Sequence, residues 1–268
     1  MNRLSRRGLC LCGCGMVFAS VARAEQASTP SSGQSVMSDL VAANRILYDQ
    51  GLLDGFGHVS ASHPENRERF FLARSMAPGL VTESDIMEFD LSGAPIDARG
   101  RAVYLERFIH SEIYRARPDV NSVVHSHSPG VIPFGAAGAK LRPIYHMSSF
   151  LAEGGGDGVP IFEIRDVAGP ATDMLIRTPE LGRALAQALG PHSVALMRGH
   201  GDVVVGRAVR RAVFRAIYTE INARLEADAL RLGAVTFLND QEAAAATATN
   251  DALVNRPWDL WRKEAMGE

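Results

Sequence analysis

His125 and His127 stand two residues apart at the end of the run Asn121-Ser122-Val123-Val124. Alternate residues of a strand face the same way, so both imidazoles can address one ion. Histidine is the commonest metal ligand near neutral pH, and an open catalytic zinc site commonly takes three protein ligands. By spacing alone, however, the pair is equally well described as two satisfied surface histidines. His200 offers a third nitrogen. It sits in Arg198-Gly199-His200-Gly201, where the backbone can turn sharply and approach another group closely. Its plainer description is a solvated hairpin tip. Glu106 opens a helix-patterned segment ahead of His125, with His110 one turn on along the same face. A carboxylate beside a divalent cation can act as general base and return the proton as acid. Taken alone, Glu106 reads as an exposed helix glutamate.

These residues need elements to hold them. Apolar residues recur at helical spacing from Val36 (Met37, Leu40, Val41, Ile46, Leu47), and Gly51 offers a stop. Strand-like runs follow near 57–62, 68–72 and 86–91, separated by Gly, Pro and Ser. Leu105, Phe108, Ile109, Ile113 and Ala116 predict a helix over 105–117 that Pro118 ends. Asn121–His125 predicts a strand, and Pro179–Leu189 a helix capped by Thr178. Val194–Met197 and Val203–Val205 predict two strands joined through the turn that carries His200. A long helix is expected over 208–232, with Val209, Val213, Ile217, Ile221 and Leu225 at four-residue steps. Ala243–Thr249 is a small-residue tract of weak character. Trp258 and Trp261 demand burial, on this domain or on a neighbouring subunit. Helices and strands mixed without strict alternation point to a single three-layer α/β domain.

The chain has 268 residues, 46% of them hydrophobic and 22% charged, which suits one globular domain of this kind. Its three cysteines all fall within the first fourteen residues, at 10, 12 and 14. A disulfide framework, a thiolate metal site and a cysteine nucleophile are thereby excluded from the body. Residues 1–24 read as a secretory signal: Arg3, Arg6 and Arg7, an uncharged run from Gly8 to Ala22, then Ala22-Arg23-Ala24. Ser5-Arg6-Arg7 resembles a twin-arginine signal, which implies export to the periplasm in folded form. Translation starting at Met37 would instead leave a cytoplasmic protein. Cleavage after Ala24 removes four arginines and no acid, and moves the formal charge from −2 to −6. Such a body gives nucleic acid little electrostatic reason to bind, and no later segment is apolar enough to anchor in a membrane. Residues 25–36 read as a linker, 37–240 as the domain and 241–268 as a C-terminal extension.

Glu106, then His125-Ser126-His127, then Arg198-Gly199-His200-Gly201 resembles the class II aldolase/adducin family. Gly57-His58-Val59-Ser60 and the Ala116–Val120 lead into the H-x-H strand belong to the same match, which covers roughly 37–240. The resemblance implies an α/β/α sandwich around a mostly antiparallel sheet, and a homotetramer with sites at its interfaces. It implies His125, His127 and His200 as ligands of a divalent metal (zinc first, manganese or iron as alternatives) and Glu106 as the catalytic acid/base.

Members acting on sugar phosphates carry Gly-Asn, a Ser/Thr-Gly pair and serines before the glutamate as phosphate donors. Here His58 stands in place of the asparagine, the second loop reads Arg74-Ser75-Met76-Ala77, and Tyr104-Leu105 precede Glu106. A phosphorylated small-molecule substrate is therefore not expected. Arg74 offers a carboxylate-binding fork and Tyr104 a ring and a hydroxyl. With Ser75 and His146 they form the expected substrate contacts, although His146 is equally well described as a capping or half-buried histidine. Tyr104–His110 resembles the branch that decarboxylates hydroxylated aromatic or pyridine dicarboxylates. The expected activity is metal-dependent carbon–carbon cleavage, by decarboxylation of a hydroxy aromatic carboxylate or by aldol cleavage of a small hydroxy-carbonyl compound. Two other classes stay open: a non-catalytic adducin-like scaffold and an iron-dependent oxygenase.

Overall fold

The computed structural model describes residues 32–267. The expected signal over 1–24, and the expected linker as far as residue 31, lie outside them. The first element, α1 (Ser32–Asp49), starts ahead of Val36 and takes in the end of that linker. Leu40, Ala43, Ile46 and Leu47 bury its inner face completely. Once that face has nucleated the helix, each further turn toward the N-terminus costs little. Gly51, at φ +73°, ends the segment in the left-handed region.

There follow β1 (His58–Ser62), β2 (Arg69–Ala73), β3 (Ile86–Asp90), α2 (Arg107–Ala116) and β4 (Ser122–Ser126). Next come α3 (Ile132–Ala137), β5 (Ile161–Phe162), α4 (Arg165–Ala168), α5 (Pro179–Leu189), β6 (Val194–Met197) and β7 (Gly201–Gly206). The chain closes with α6 (Val209–Leu232), α7 (Asp240–Leu253) and α8 (Asn255–Met266). Among the described residues the strands form one sheet in the order β3-β2-β1-β4-β7-β6-β5. Every pairing is antiparallel except that of β5 with β6.

Side-chain alternation along these strands produces the layers. Phe71, Ala73, Val124 and Val204 face α1, α6 and α8, in one apolar cluster. Phe70, Leu72, Val123 and Val205 face α2 and α5, in another. Burial on both faces explains why the strands read as apolar runs with little polar alternation. The result is the expected α/β/α sandwich around a mostly antiparallel sheet.

Three elements depart from expectation. In α6, Val209, Val213 and Ile217 are buried, but Ile221 and Leu225 are exposed. A four-residue step overshoots the 3.6-residue turn by about 40° each time, so the stripe winds off the packed face. Its place is taken by Ala212, Ala216, Thr219 and Ala223. Leu105 lies before α2 and is exposed, so it joins no helix face. The tract around Ala243–Thr249 is the helix α7, opened by a capping box in which Asn239 accepts from Gln241 and Glu242 and the Glu242 carboxylate accepts from Asn239. Alanine is the best helix former yet presents no large apolar face, which is why periodicity missed it. Trp258 and Trp261 of α8 are buried with α1 and α6 in the chain's own core.

Candidate metal centre and active site

The centre of the sheet carries the histidines. β4 lies between β1 and β7, in a register that sets His125 opposite His58 on one side and Val203 on the other. His125 Nδ1 donates to the Asp202 carbonyl oxygen at 2.9 Å, which leaves the Nε2 lone pair facing inward. His127 follows one residue past the strand end. His200 enters from the turn before β7, where Gly199 takes φ +66°. Gly201 is required for another reason: a Cβ there would stand 1.9 Å from the Ser126 carbonyl oxygen. Only glycine lets the His200 turn lie against β4.

Glu106 immediately precedes α2 and is buried, contrary to its description as an exposed helix glutamate. Its Oε1 accepts from the Ile176 backbone N–H at 2.8 Å. Its Oε2 lies 3.6 Å from Nε2 of both His125 and His200. The Nε2 atoms of His127 and His200 are 3.1 Å apart. One ligand atom from each of Glu106, His125, His127 and His200 falls within 4.8 Å of every other.

The charges are coupled. Burial pushes Glu106 up, but the neighbouring His125, the charge of His200 and the Ile176 N–H together hold it down at about 2. Burial, together with the charge of His125, lowers His200 to about 4 and also lowers His127. Burial opposes the protonation of His125, yet Glu106 and the Asp202 carbonyl raise it above its ordinary value. Three crowded imidazoles cannot all carry protons, and their neutral forms present lone pairs.

A divalent cation fits this arrangement. His125 Nε2 is sealed from solvent and has no hydrogen-bond partner, at a cost of about 1–3 kcal/mol if nothing occupies it. Three imidazole nitrogens and a carboxylate are a donor set for zinc, manganese or iron.

The supporting residues came without a motif. Ser126 donates to Asp202 Oδ1 at 2.6 Å, while Ser128 and the Gly130 N–H donate to Glu220 Oε2 on α6. These serines alternate with the two histidines, so one face of the segment addresses the cluster while the other is tied down. Alternation was the signal that could have found them.

The four expected substrate residues separate. The Tyr104 ring lies 4.6 Å from that of His58, which is 5.1 Å from His125, so Tyr104 borders the cluster. Its hydroxyl, however, donates to the Met76 carbonyl at 2.5 Å, and clamps the 74–79 loop. Arg74 Nε donates to Asp85 at 2.6 Å. Ser75 is exposed, with its backbone N–H bonded to Ala102. His146 is exposed at the head of a 3-10 segment and lines a separate cavity with Phe214, Tyr218 and Leu260. The structure thus gathers Glu106, the three histidines, His58 and Tyr104, and leaves His146 elsewhere.

An α/β/α sandwich that gathers three imidazoles and a buried carboxylate around the end of β4 and the turn before β7 has a site suited to metal-dependent catalysis. The model of the family "Class II Aldolase and Adducin N-terminal domain" matches residues 38–227, and the chain belongs to that family. Decarboxylase tropJ of Talaromyces stipitatus is 38% identical over 242 residues, spanning 82% of this chain and 90% of its own. A 3,4-dihydroxyphthalate decarboxylase of Arthrobacter keyseri is 33% identical over 233 residues, spanning 82% and 89%. The fold is that of an aldolase II superfamily protein from Pseudomonas syringae, with a TM-score of 0.71 at 23% identity over 89% of this chain and 94% of the other.

Proposed function

We propose that this enzyme decarboxylates a non-phosphorylated hydroxy aromatic carboxylate. The observation that carries the proposal is Glu106, buried against His125 and His200 with the rings of His58 and Tyr104 alongside. Two decarboxylases among its relatives support it, as does the absence of serine donors before Glu106. His125, His127 and His200 would hold the ion, with zinc as the proposed identity. A bound divalent cation supplies Lewis acidity, stabilising negative charge on adjacent substrate oxygens while the carbon–carbon bond breaks.

The rest is the work of the chain. Glu106, held as a carboxylate, accepts the proton of a ring hydroxyl. The bond to the carboxylate then breaks, carbon dioxide leaves, and the ring carbon keeps the electron pair. Glu106 returns its proton to that carbon. Ile176 keeps Oε1 in place throughout, so Oε2 is the atom that moves the proton. The Tyr104 and His58 rings provide flat walls for an aromatic substrate.

The test is a screen of hydroxy aromatic carboxylates, including 3,4-dihydroxyphthalate, for metal-dependent carbon dioxide release. Aldehyde release from a hydroxy-carbonyl compound would favour aldol cleavage. Oxygen uptake would favour the oxygenase, and a metal-free inert protein the scaffold. Export through the twin-arginine signal and assembly into a homotetramer belong to the same proposal. Exposed Ile221, Leu225 and Leu232 on one side of α6 give a second copy an apolar face. Light scattering of the purified protein checks the assembly.

A further inference from the structure

A chain of buried hydrogen bonds runs from α2 across β1 to the edge of the metal centre. Ser60 Oγ lies 2.6 Å from Tyr114 Oη and 2.6 Å from His110 Nδ1. His110 Nε2 lies 2.7 Å from His58 Nδ1. Ser60 and His110 are fully buried, and Tyr114 and His58 nearly so. The rings of His58 and His125 are 5.1 Å apart.

The direction of this chain follows from satisfying every proton. Among the described residues, Ser60 Oγ is the hydrogen-bond partner of Tyr114 Oη. It is therefore the acceptor left for the phenol proton. Having accepted it, Ser60 must give its own proton to His110 Nδ1. His110 then carries its proton on Nε2 and donates to His58 Nδ1. His58 is left with its proton on Nε2. Any reversal leaves the Tyr114 hydroxyl proton without an acceptor among the described residues, which is costly for a buried group. His110 Nε2 and His58 Nδ1, 2.7 Å apart, share one proton, so one of the two atoms presents a lone pair. His58 Nε2 makes no hydrogen bond to any described residue, yet it is not sealed from solvent.

We infer that His58 Nε2–H is a fixed hydrogen-bond donor for an anionic oxygen of the substrate, a carboxylate or ring hydroxylate, and that Tyr114, Ser60 and His110 are positioning residues that hold its tautomer. The inference deepens the decarboxylase proposal and rests on it for the substrate's chemistry. It concerns where a neutral ring carries its proton. A donor beside His125 would lower the energy of the oxygen from which charge is withdrawn or on which it collects. It would also select substrates bearing an acceptor at that position, because an analogue without one leaves Nε2–H unpaired.

The experiment is long-range 1H–15N NMR of the histidine side chains in the zinc-loaded full chain. The wild-type spectrum should show the proton on Nε2 of both His110 and His58. Ser60→Ala should give mixed tautomers at both rings and weaken binding of the probe 3,4-dihydroxybenzoate about tenfold, with zinc content unchanged. Ser60→Thr, which restores the hydroxyl, should recover both. His58→Phe should lose the same tenfold while retaining zinc. A proton on Nδ1 of His58 in the wild type overturns the inference without any variant. So does a Ser60→Ala spectrum identical to wild type, or undiminished probe binding by His58→Phe. If all of these come out as expected and no hydroxy aromatic carboxylate releases carbon dioxide, the decarboxylase proposal falls and the donor role of His58 stands.

Discussion

The backbone N–H of Ile176 donates to Glu106 Oε1 at 2.8 Å across seventy residues of sequence, and thereby decides which carboxylate oxygen faces the histidines. Oε2 is left 3.6 Å from both His125 and His200. One oxygen is anchored and the other faces the cluster.

Glu106→Gln separates these tasks. The amide oxygen can still accept from Ile176, so the turn before α2 keeps its shape, but the side chain no longer moves a proton. Turnover should fall by roughly 10²–10⁴-fold while metal content stays that of the wild type. Elemental analysis beside a carbon dioxide assay reads both; activity within tenfold of wild type would remove Glu106 from the mechanism.

The histidines should couple metal to stability. A cation at a hundredfold excess over its Kd adds about 2.7 kcal/mol to folding stability. Chelation should therefore lower the thermal midpoint of the wild type. His125→Ala should already show the lower midpoint, with no further change on adding chelator. Differential scanning calorimetry with and without zinc makes the comparison, and a chelator effect that persists in His125→Ala would place the ion elsewhere.

Gly201→Ala should be among the most damaging single-methyl additions in the chain. The added carbon would meet the Ser126 carbonyl 1.9 Å away, in backbone that cannot yield without parting β7 from β4. A loss of about 3 kcal/mol or more is expected, together with metal, because His200 and His127 flank that contact. Urea unfolding and zinc content should both report it. A variant with wild-type stability would show that the turn can relax.

Glu226 gives a pH signature away from the centre. It is fully buried on α6, where it accepts from the Arg142 N–H and the Asn222 side chain. Burial, only partly offset by those bonds and the Arg142 charge, raises it to about 7. The folded state then holds its proton more tightly than the unfolded state, whose carboxyl titrates near about 4.3. Its contribution to stability is fully present below that lower value and is lost as pH rises through about 7. Glu226→Gln should raise the thermal midpoint relative to wild type at pH 8 and change it little at pH 4. Equal shifts at both values would mean that Glu226 does not titrate in this window.

Much of the site was legible because its chemistry is concentrated in short motifs. His125-Ser126-His127 and Gly199-His200-Gly201 announce strand alternation and a tight turn, and both hold in the fold. The Thr178 cap and the helix Pro179–Leu189 were equally local: the Thr178 hydroxyl accepts from Leu181 N–H as its type and position imply. Arg74 was harder. A guanidinium suits a substrate carboxylate, but nothing near it in sequence shows that Asp85, across a 3-10 turn, takes its Nε. His146 was indistinguishable by type from a pocket histidine, and the packing of its 3-10 segment against α7 turned it to another cavity.

The sequence by itself determined the candidate residues, their order and the local geometry that presents them, because alternation, capping and glycine conformations depend on neighbours within a turn or a strand. Only the tertiary structure decided that Glu106 is buried and anchored by Ile176, and that His58 closes a relay reaching back to Tyr114 on α2. It also decided that the α6 stripe leaves its packed face after Ile217. These depend on which elements meet across the sheet. Such meetings are set by the burial of two apolar faces at once, a constraint on the whole chain that no short segment carries.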